Sequence, residues 1–219
     1  METYRFTKNV CVKKTSDLLR ISQDAATAHL DALGLTGAAE KNGLVWVIIR
    51  IHGEVYAPVE GDVTVETWPG VSQRGFLPRY CRIYAADGTL AASFVTLWVL
   101  ADAQSRTLAQ DASLGVPEME TGCELPIPRA LPRKRMDVTG AFRVKEEWID
   151  SNGHMNNCCY LDAAEETLHL TAIPKAFWVD YRHELLPGSE ASISSMQEGN
   201  VVILSGHGDV EHFRMKLEY

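Results

Sequence analysis

Hydrophobic and polar positions along the chain first predict one long helix. Residues 16–34 carry apolar side chains every three or four positions, which is the period of a helix with a broad buried face. Ser16 and Asp17 suit its N-terminal end, and Gly34 suits its C-terminal end. Because many of these apolar residues are small, we expect a sheet to wrap closely around the helix.

The residues that follow are typical of antiparallel strands. A turn is predicted at Pro58 and Gly61-Asp62, and Asp87-Gly88 is a strong hairpin signal. Before the first turn, residues 44–55 are β-branched and nearly continuously apolar, and after it Val63, Val65 and Thr67 alternate with polar residues. Four strands are therefore predicted in this half: 44–55, around 63–67, 78–85 and 90–101.

The second half of the chain repeats this order in a shorter form. The sequence Asp-Ala-Ala at 24–26 recurs at 162–164, and segment 58–62 resembles 186–190 more loosely. Two matches in the same order indicate an ancient duplication. The predicted elements are a strand, a helix and four further strands: around 140–148, from about Asn156 to Leu170, and near 176–183, 190–196, 200–206 and 211–219.

This arrangement predicts an α+β fold, a double hotdog in which two tandem antiparallel sheets each wrap a long helix. Many strands with few helices exclude an alternating parallel sheet. We predict a first hotdog over 1–110, a linker over 111–136 and a second hotdog over 137–219. The linker is assigned because prolines interrupt any regular element there.

Composition and charge narrow the class of protein. The chain has 219 residues, of which 46% are hydrophobic and 23% are charged, as in a globular domain that needs no disulfide or metal to fold. Its net charge of −8 argues against nucleic-acid binding. We expect no signal peptide and no membrane span. The 5 cysteines form no C-x-x-C pair, so we expect reduced thiols and a cytoplasmic location.

The densest polar cluster is WIDSNGHMNN, before the second predicted helix. Its Asp150, Asn152 and His154 alternate, so in an extended loop they would project to one side. Backbone N–H groups near Asn156 and Asn157, at the predicted helix N-terminus, would stabilise a developing oxyanion. These groups suit hydrolysis of an acyl group, although a turn and helix cap without chemistry is an alternative interpretation.

A second candidate is Glu184, at the end of a predicted strand. We expect an apolar setting there, which suits a carboxylate to acid–base work near neutral pH. The alternative is a structural salt bridge with Arg182 or Arg214.

Together these two segments resemble the acyl-ACP thioesterase family of plant plastids and bacteria. That family shows Asp-x-Asn-x-His-x-Asn-Asn, then a tyrosine, then Tyr-x-x-Glu at a later strand. The matching residues are Asp150, Asn152, His154, Asn156, Asn157, Tyr160, Tyr181 and Glu184. The first half matches as well, from Tyr4 to Arg106, so the resemblance covers nearly the whole chain.

The resemblance implies a hydrolase of fatty acid biosynthesis that cleaves fatty acyl-[acyl-carrier protein] to a free fatty acid and the carrier-protein thiol. It assigns catalysis to four residues: Asp150, Asn152, His154 and Glu184. An older proposal for the family used a cysteine directly after the glutamate, but this chain has Leu185 there, which favours attack by water. We expect Cys158 and Cys159 to be core residues. No cofactor and no metal is predicted.

The duplication also predicts one active site per chain, in the second half. The first-half positions that correspond to the four catalytic residues hold other residue types: Val12, Lys14, Ser16 and Ala57. We expect the first half to line the acyl pocket, although an ordinary core role is the alternative for its three candidate residues: Leu30, Trp46 and Ile48.

One dense cationic run lies at the end of the predicted linker. We expect it to dock the acidic carrier protein, with a solvated linker as the alternative. Its members are Arg129, Arg133, Lys134 and Arg135. Three other functions stay open at this point: an acyl-CoA thioesterase, a hotdog dehydratase or hydratase, and a non-catalytic acyl-binding protein. The oligomeric state also stays open, with a homodimer as one expectation.

Overall fold

The computed structural model describes residues 4–109, 114–119 and 125–219, and the chain divides into two compact units. Unit one takes the described residues of Met1–Cys11 and Ile21–Pro128. Unit two takes Val12–Arg20 and Arg129–Tyr219. The domain boundaries predicted at 110 and 137 stay predictions.

Unit one is built on an antiparallel sheet with the strand order β1-β3-β4-β5-β2. A long helix, α1, follows the first strand, and its residues up to Arg20 belong to unit two. The elements in chain order are β1 (Tyr4–Cys11), α1 (Thr15–Ala32), α2 (Ala38–Lys41), β2 (Leu44–Val55), β3 (Glu60–Pro69), β4 (Leu77–Tyr84) and β5 (Leu90–Asp102).

Unit two repeats the same connectivity. Its antiparallel strand order is β6-β8-β9-β10-β7, which matches the order in unit one strand for strand. The predicted α+β double hotdog is therefore confirmed. The elements are β6 (Asp137–Arg143), a 3-10 turn (Glu146–Trp148), α3 (Cys159–Leu168), β7 (Ala176–Tyr181), β8 (Glu190–Glu198), β9 (Val201–His207) and β10 (Glu211–Glu218).

The C-terminal end of α1 follows the predicted glycine rule. Gly34 has φ +67°, and the N–H of Leu35 donates to the carbonyl of Leu30 at 2.9 Å. Glycine suits this position because a left-handed backbone costs it no side-chain clash. At the other end, the Asp17 carboxylate accepts the Lys13 N–H at 3.0 Å, which holds the chain as it enters the helix.

Unit two has a core of buried side chains between α3 and its sheet. Phe177 on β7, Phe213 on β10 and Leu161 on α3 are each 0% exposed. Tyr160 packs edge-on against Phe213, with ring centroids 5.3 Å apart. This packing fixes the start of α3 against the sheet, and the loops at that end carry the polar cluster.

Three predicted element ends and one predicted turn are wrong. The strand predicted over 140–148 ends at Arg143, because the chain then turns into the 3-10 segment. The second helix begins at Cys159, since the Asn156 side chain accepts the Cys158 N–H at 2.9 Å and holds the preceding residues in a turn. It ends before His169, whose φ is +55°. The turn predicted at Gly61-Asp62 lies inside β3.

The described parts of the predicted linker, 114–119 and 125–136, form no helix or strand, and residues 111–113 and 120–124 lie outside the described residues. Cys158 and Cys159 are buried, as predicted, and the described cysteines are free. Cys123 lies outside the described residues. Within the described residues, no helix has the length and apolar content needed to cross a membrane.

Candidate active site

The polar cluster forms a tight turn, not the extended loop in which Asp150, Asn152 and His154 would project to one side. The Asp150 N–H donates to the His154 carbonyl at 2.9 Å, and the Gly153 N–H donates to the Asp150 carbonyl at 3.0 Å. The Asp150 carboxylate also accepts the Asn152 N–H at 2.8 Å, which closes the turn from inside. Gly153 has φ +79°, which a glycine adopts freely. Asp150 and His154 are thus paired across the turn, and Asn152 lies at its exposed tip.

His154 and Glu184 meet directly, although thirty positions separate them in the sequence. The distance from His154 Nε2 to Glu184 Oε2 is 3.0 Å, with side chains 17% and 45% exposed. The apolar setting expected for Glu184 is wrong, because the next residue, Leu185, is the one that enters the core, at 1% exposure. Arg182, one of the two arginines considered as a salt-bridge partner for Glu184, forms an ion pair with Asp180 at 3.0 Å.

Two hydrogen bonds hold the loops of His154 and Glu184 together. The Met155 N–H donates to the Leu185 carbonyl at 2.9 Å. The Leu185 N–H in turn donates to the Tyr160 hydroxyl at 3.1 Å, inside the protein. The buried Leu185 is thus the junction between the turn, the glutamate loop and α3.

Two tyrosines of the family motif surround this junction. The Tyr181 hydroxyl donates to the Asn157 carbonyl at 2.7 Å, and its ring packs edge-on against Tyr160 at 5.2 Å. Burial raises the pKa of the Tyr160 phenol, and the nearby charges of Glu184 and Asp150 raise it further. Tyr160 therefore stays neutral beside both carboxylates. The sequence motif contained both tyrosines, but no role for them could be read from it.

The residues before α3 offer one backbone donor. The Asn156 N–H donates to the Trp148 carbonyl at 2.8 Å, and the Cys159 N–H donates to the Asn156 carbonyl at 2.8 Å. The Cys158 N–H is bound by the Asn156 side chain. Among the described residues, no acceptor lies in hydrogen-bonding position for the Asn157 N–H. Of the two predicted oxyanion positions, Asn157 is thus the one with a free N–H.

The corresponding region of the first half holds no such pair. Ser16 donates to the buried Asp162 carboxylate at 2.7 Å, and Lys14 forms an ion pair with the same carboxylate. Lys14 and Ser16, the first-half positions matched to Asn152 and His154, thus bind a buried carboxylate and have a structural role. Within the described residues, no cluster of three or more His, Cys, Asp or Glu side chains could hold a metal ion.

The three residues predicted to line an acyl pocket lie in unit one. Ile48 is buried at 2% exposure, while Leu30 on α1 and Trp46 on β2 are half-buried. Trp46 packs edge-on against Trp98, with centroids 6.4 Å apart. Their role in binding stays a prediction.

The cationic run is mostly exposed. Arg129, Arg133 and Arg135 are exposed, while Lys134 is half-buried and forms an ion pair with Glu198 at 3.3 Å. Arg129 and Lys134 also line a groove of about 610 Å³ against β7, β9 and β10. Docking at this surface stays a prediction.

Family models match both halves of the chain. A model of the acyl-ACP thioesterase N-terminal domain matches residues 6–112, and a model of the C-terminal domain matches residues 132–213. The chain belongs to the acyl-ACP thioesterase family. It is therefore a thioesterase that hydrolyses fatty acyl groups carried on acyl-carrier protein.

Solved structures share the fold of this acyl-ACP thioesterase. One is an acyl-ACP thioesterase from Bacteroides thetaiotaomicron, with TM-score 0.85 and 20% identity over 99% of this chain and 96% of that chain. Another is the 12:0-ACP thioesterase from Umbellularia californica, with TM-score 0.86 and 19% identity over 99% of this chain and 96% of that one.

A protein of another reaction class shares the fold more distantly. A MaoC-like dehydratase from Phytophthora capsici has TM-score 0.56 and 13% identity over 80% of this chain and 72% of that chain. No curated protein sequence matches the chain. The family models, rather than the fold, therefore separate the thioesterase from the dehydratase alternative.

Proposed function

We propose that this acyl-ACP thioesterase activates its hydrolytic water with the Glu184–His154 pair. The observation that carries the proposal is the 3.0 Å contact between His154 Nε2 and Glu184 Oε2 in a solvent-accessible setting. A carboxylate in contact with an imidazole can accept the proton of water and pass one on to a leaving group. Cys158 and Cys159 are buried, at 0% and 3% exposure, so their thiols are less accessible to a substrate than the His154–Glu184 pair.

The proposed reaction has two steps. Glu184 accepts a proton as the water oxygen attacks the thioester carbonyl carbon, and the negative charge moves to the carbonyl oxygen. The Asn157 N–H would donate to that oxygen, where one good donor contributes about 3–4 kcal/mol. Glu184 then passes this proton to His154 across their 3.0 Å contact. As the C–S bond breaks, His154 delivers it to the departing carrier-protein thiolate. The products are a fatty acid and a thiol.

Asp150 and Asn152 would act through the turn. The Asp150 carboxylate binds the Asn152 N–H, and the Asp150 backbone binds the His154 carbonyl. These bonds hold the imidazole at a fixed place beside Glu184. We therefore assign to Asp150 and Asn152 the orientation of His154, and to Glu184 the role of base.

The test is thiol release from acyl-carrier-protein substrates of several chain lengths. Glu184→Gln and His154→Ala should each lower kcat by about 100-fold or more, as for the loss of an acid–base group. Glu190→Gln is the matched control, because Glu190 is 69% exposed and forms an ion pair with Arg143 instead of contacting a histidine. Wild-type kcat in both site variants would refute the proposal.

The same assay measures the preference for the carrier. We expect a higher kcat/KM for acyl-carrier protein than for acyl-CoA with the same acyl chain. The opposite order would contradict the carrier preference.

We also propose that the cationic run docks the carrier protein. The proposal is supported by the exposure of Arg129, Arg133 and Arg135 in a protein whose net charge is −8. Attraction of an acidic partner depends on the local field rather than on net charge. Lys134 contributes less free charge, because its ammonium pairs with Glu198.

Charge reversal tests the docking surface. Arg133→Glu should raise KM for acyl-carrier protein by roughly 5- to 10-fold, as for the loss of one charge contact and an added repulsion. KM for acyl-CoA should change much less. Arg143→Glu is the control, since Arg143 is exposed but lies outside the run. Equal changes for both substrates, or for both variants, would contradict docking at this surface.

The remaining expectations stay predictions. We propose that unit one supplies the acyl pocket, with Leu30, Trp46 and Ile48 among its lining residues. Active-site titration should give one site per chain. We also propose a role in lipid metabolism in the cytoplasm and a homodimeric state.

A further inference from the structure

We propose that Tyr160 is a positioning residue, which sets Glu184 against His154 through the peptide that follows the glutamate. The inference rests on the proposed role of Glu184 as the base. It assigns to the Tyr160 hydroxyl a function in the reaction although that hydroxyl need not touch the substrate.

The geometry ties the backbone of both catalytic residues to one point. The N–H that Tyr160 accepts, at 3.1 Å, belongs to the peptide group joining Glu184 to Leu185. The carbonyl of Leu185 accepts, at 2.9 Å, the N–H of the peptide group joining His154 to Met155. A shift of the peptide at 184–185 would therefore move the Glu184 carboxylate relative to the imidazole.

No water can replace the tyrosine hydroxyl without a rearrangement. Tyr160 is 3% exposed and Leu185 is 1% exposed, so the hydrogen bond between them lies in the interior. A buried N–H that loses its acceptor is costly, and the loop would shift to find another one. Tyr160 also stays neutral, as its burial requires, so its oxygen accepts this N–H while its own O–H stays a donor.

The ring of Tyr160 is held independently of its hydroxyl. It packs edge-on against Tyr181 at 5.2 Å and against Phe213 at 5.3 Å. The ring therefore presents the oxygen at a fixed place. Removal of the oxygen alone should leave α3 and the aromatic cluster intact, so Tyr160→Phe isolates the proposed contact.

A double-mutant cycle tests the proposal on thiol release from acyl-carrier protein. Tyr160→Phe should lower kcat by about 10- to 100-fold, as for a misplacement of a catalytic group by about 1 Å, with KM nearly unchanged. In the Glu184→Gln background, the same substitution should change kcat by less than about 3-fold, because residues that act through one another are not additive.

Tyr219→Phe is the matched control. Its hydroxyl is also buried, and it has no hydrogen-bond partner among the described residues, so kcat should stay at the wild-type value. Hydrogen exchange of the Leu185 amide should be faster in Tyr160→Phe than in Tyr219→Phe. If Tyr160→Phe does not fold, difluorotyrosine at position 160 weakens the oxygen as an acceptor without removing it, and should lower kcat to a smaller extent.

The outcomes separate the two proposals. A wild-type kcat in Tyr160→Phe overturns the positioning role, as does an equal fold-loss with and without Glu184, which would indicate a merely structural residue. Full activity of Glu184→Gln would overturn the proposed base and the positioning role with it. If Tyr160→Phe lowers kcat in the wild type but not in the Glu184→Gln background, the result supports both the base role of Glu184 and the positioning role of Tyr160.

Discussion

Acid should destabilise the protein through one buried histidine in unit one. His29 on α1 is 4% exposed, and its ring stacks on Tyr4 with centroids 5.1 Å apart. Its Nδ1 lies 3.2 Å from the guanidinium of Arg79, which is itself buried. Burial, with a contribution from the Arg79 charge, lowers the pKa of His29 from 6.5 to about 4. The folded protein thus holds this imidazole neutral.

The direction and the size of the pH effect on stability follow from this pKa. In the unfolded chain, His29 binds a proton as the pH falls below 6.5, whereas in the folded protein it does so only near pH 4. The stability that its neutral form contributes is complete above pH 6.5 and is lost as the pH falls towards 4. At about 1.4 kcal/mol for each pH unit, the loss is about 3.5 kcal/mol at most.

Urea unfolding across this pH range measures the effect. His29→Gln keeps an acceptor for the Arg79 guanidinium but cannot titrate, so its free energy of unfolding should fall less than that of the wild type. The difference between the two proteins isolates His29 from every other titrating group. His183→Gln is the control, because His183 is exposed. Parallel pH dependences for wild type and His29→Gln would refute the reasoning.

Two further predictions concern stability. Asp162→Asn should lower the free energy of unfolding, measured by thermal unfolding, by about 2–3 kcal/mol, because the buried carboxylate, 2% exposed, pairs with Arg20 at 3.0 Å. The control is Asp24→Asn, at the matching exposed position of the first repeat, which should lower it by less than about 1 kcal/mol. Gly206→Ala should lower the free energy of unfolding by about 1–3 kcal/mol, because the added Cβ would overlap the buried Phe213 ring. In the double variant with Phe213→Leu, where the ring is removed, part of that loss should be regained. Equal losses for the two aspartates, or no recovery in the double variant, would contradict these accounts.

The duplicated fold could be predicted because its signals are local. Apolar periodicity identified the helices and strands, and glycines at 34 and 88 ended or turned them where φ is positive. The matched order of elements in the two halves then gave the double hotdog. Boundaries failed where side chains compete with the backbone, as when Asn156 binds the Cys158 N–H and delays the start of α3.

The candidate site could be predicted only in part. The resemblance named His154 and Glu184, and the structure brings them into contact at 3.0 Å. It did not indicate that Glu184 is exposed while Leu185 is buried. The strand predicted over 176–183 ends at Tyr181, so Glu184 and Leu185 lie in a loop. No periodic pattern of the sequence decides which loop side chain enters the interior.

By itself, the sequence determined the repeated hotdog fold, the acyl-ACP thioesterase motif and the lack of a matching motif in the first half. Only the tertiary structure decided that Leu185 joins the two catalytic loops to Tyr160, and that Lys14 and Ser16 serve Asp162. The physical reason is the separation along the chain over which each kind of interaction acts. Periodicity and turn chemistry act between neighbours in the chain, whereas a hydrogen bond between distant residues depends on strand register and on how the helix packs on its sheet.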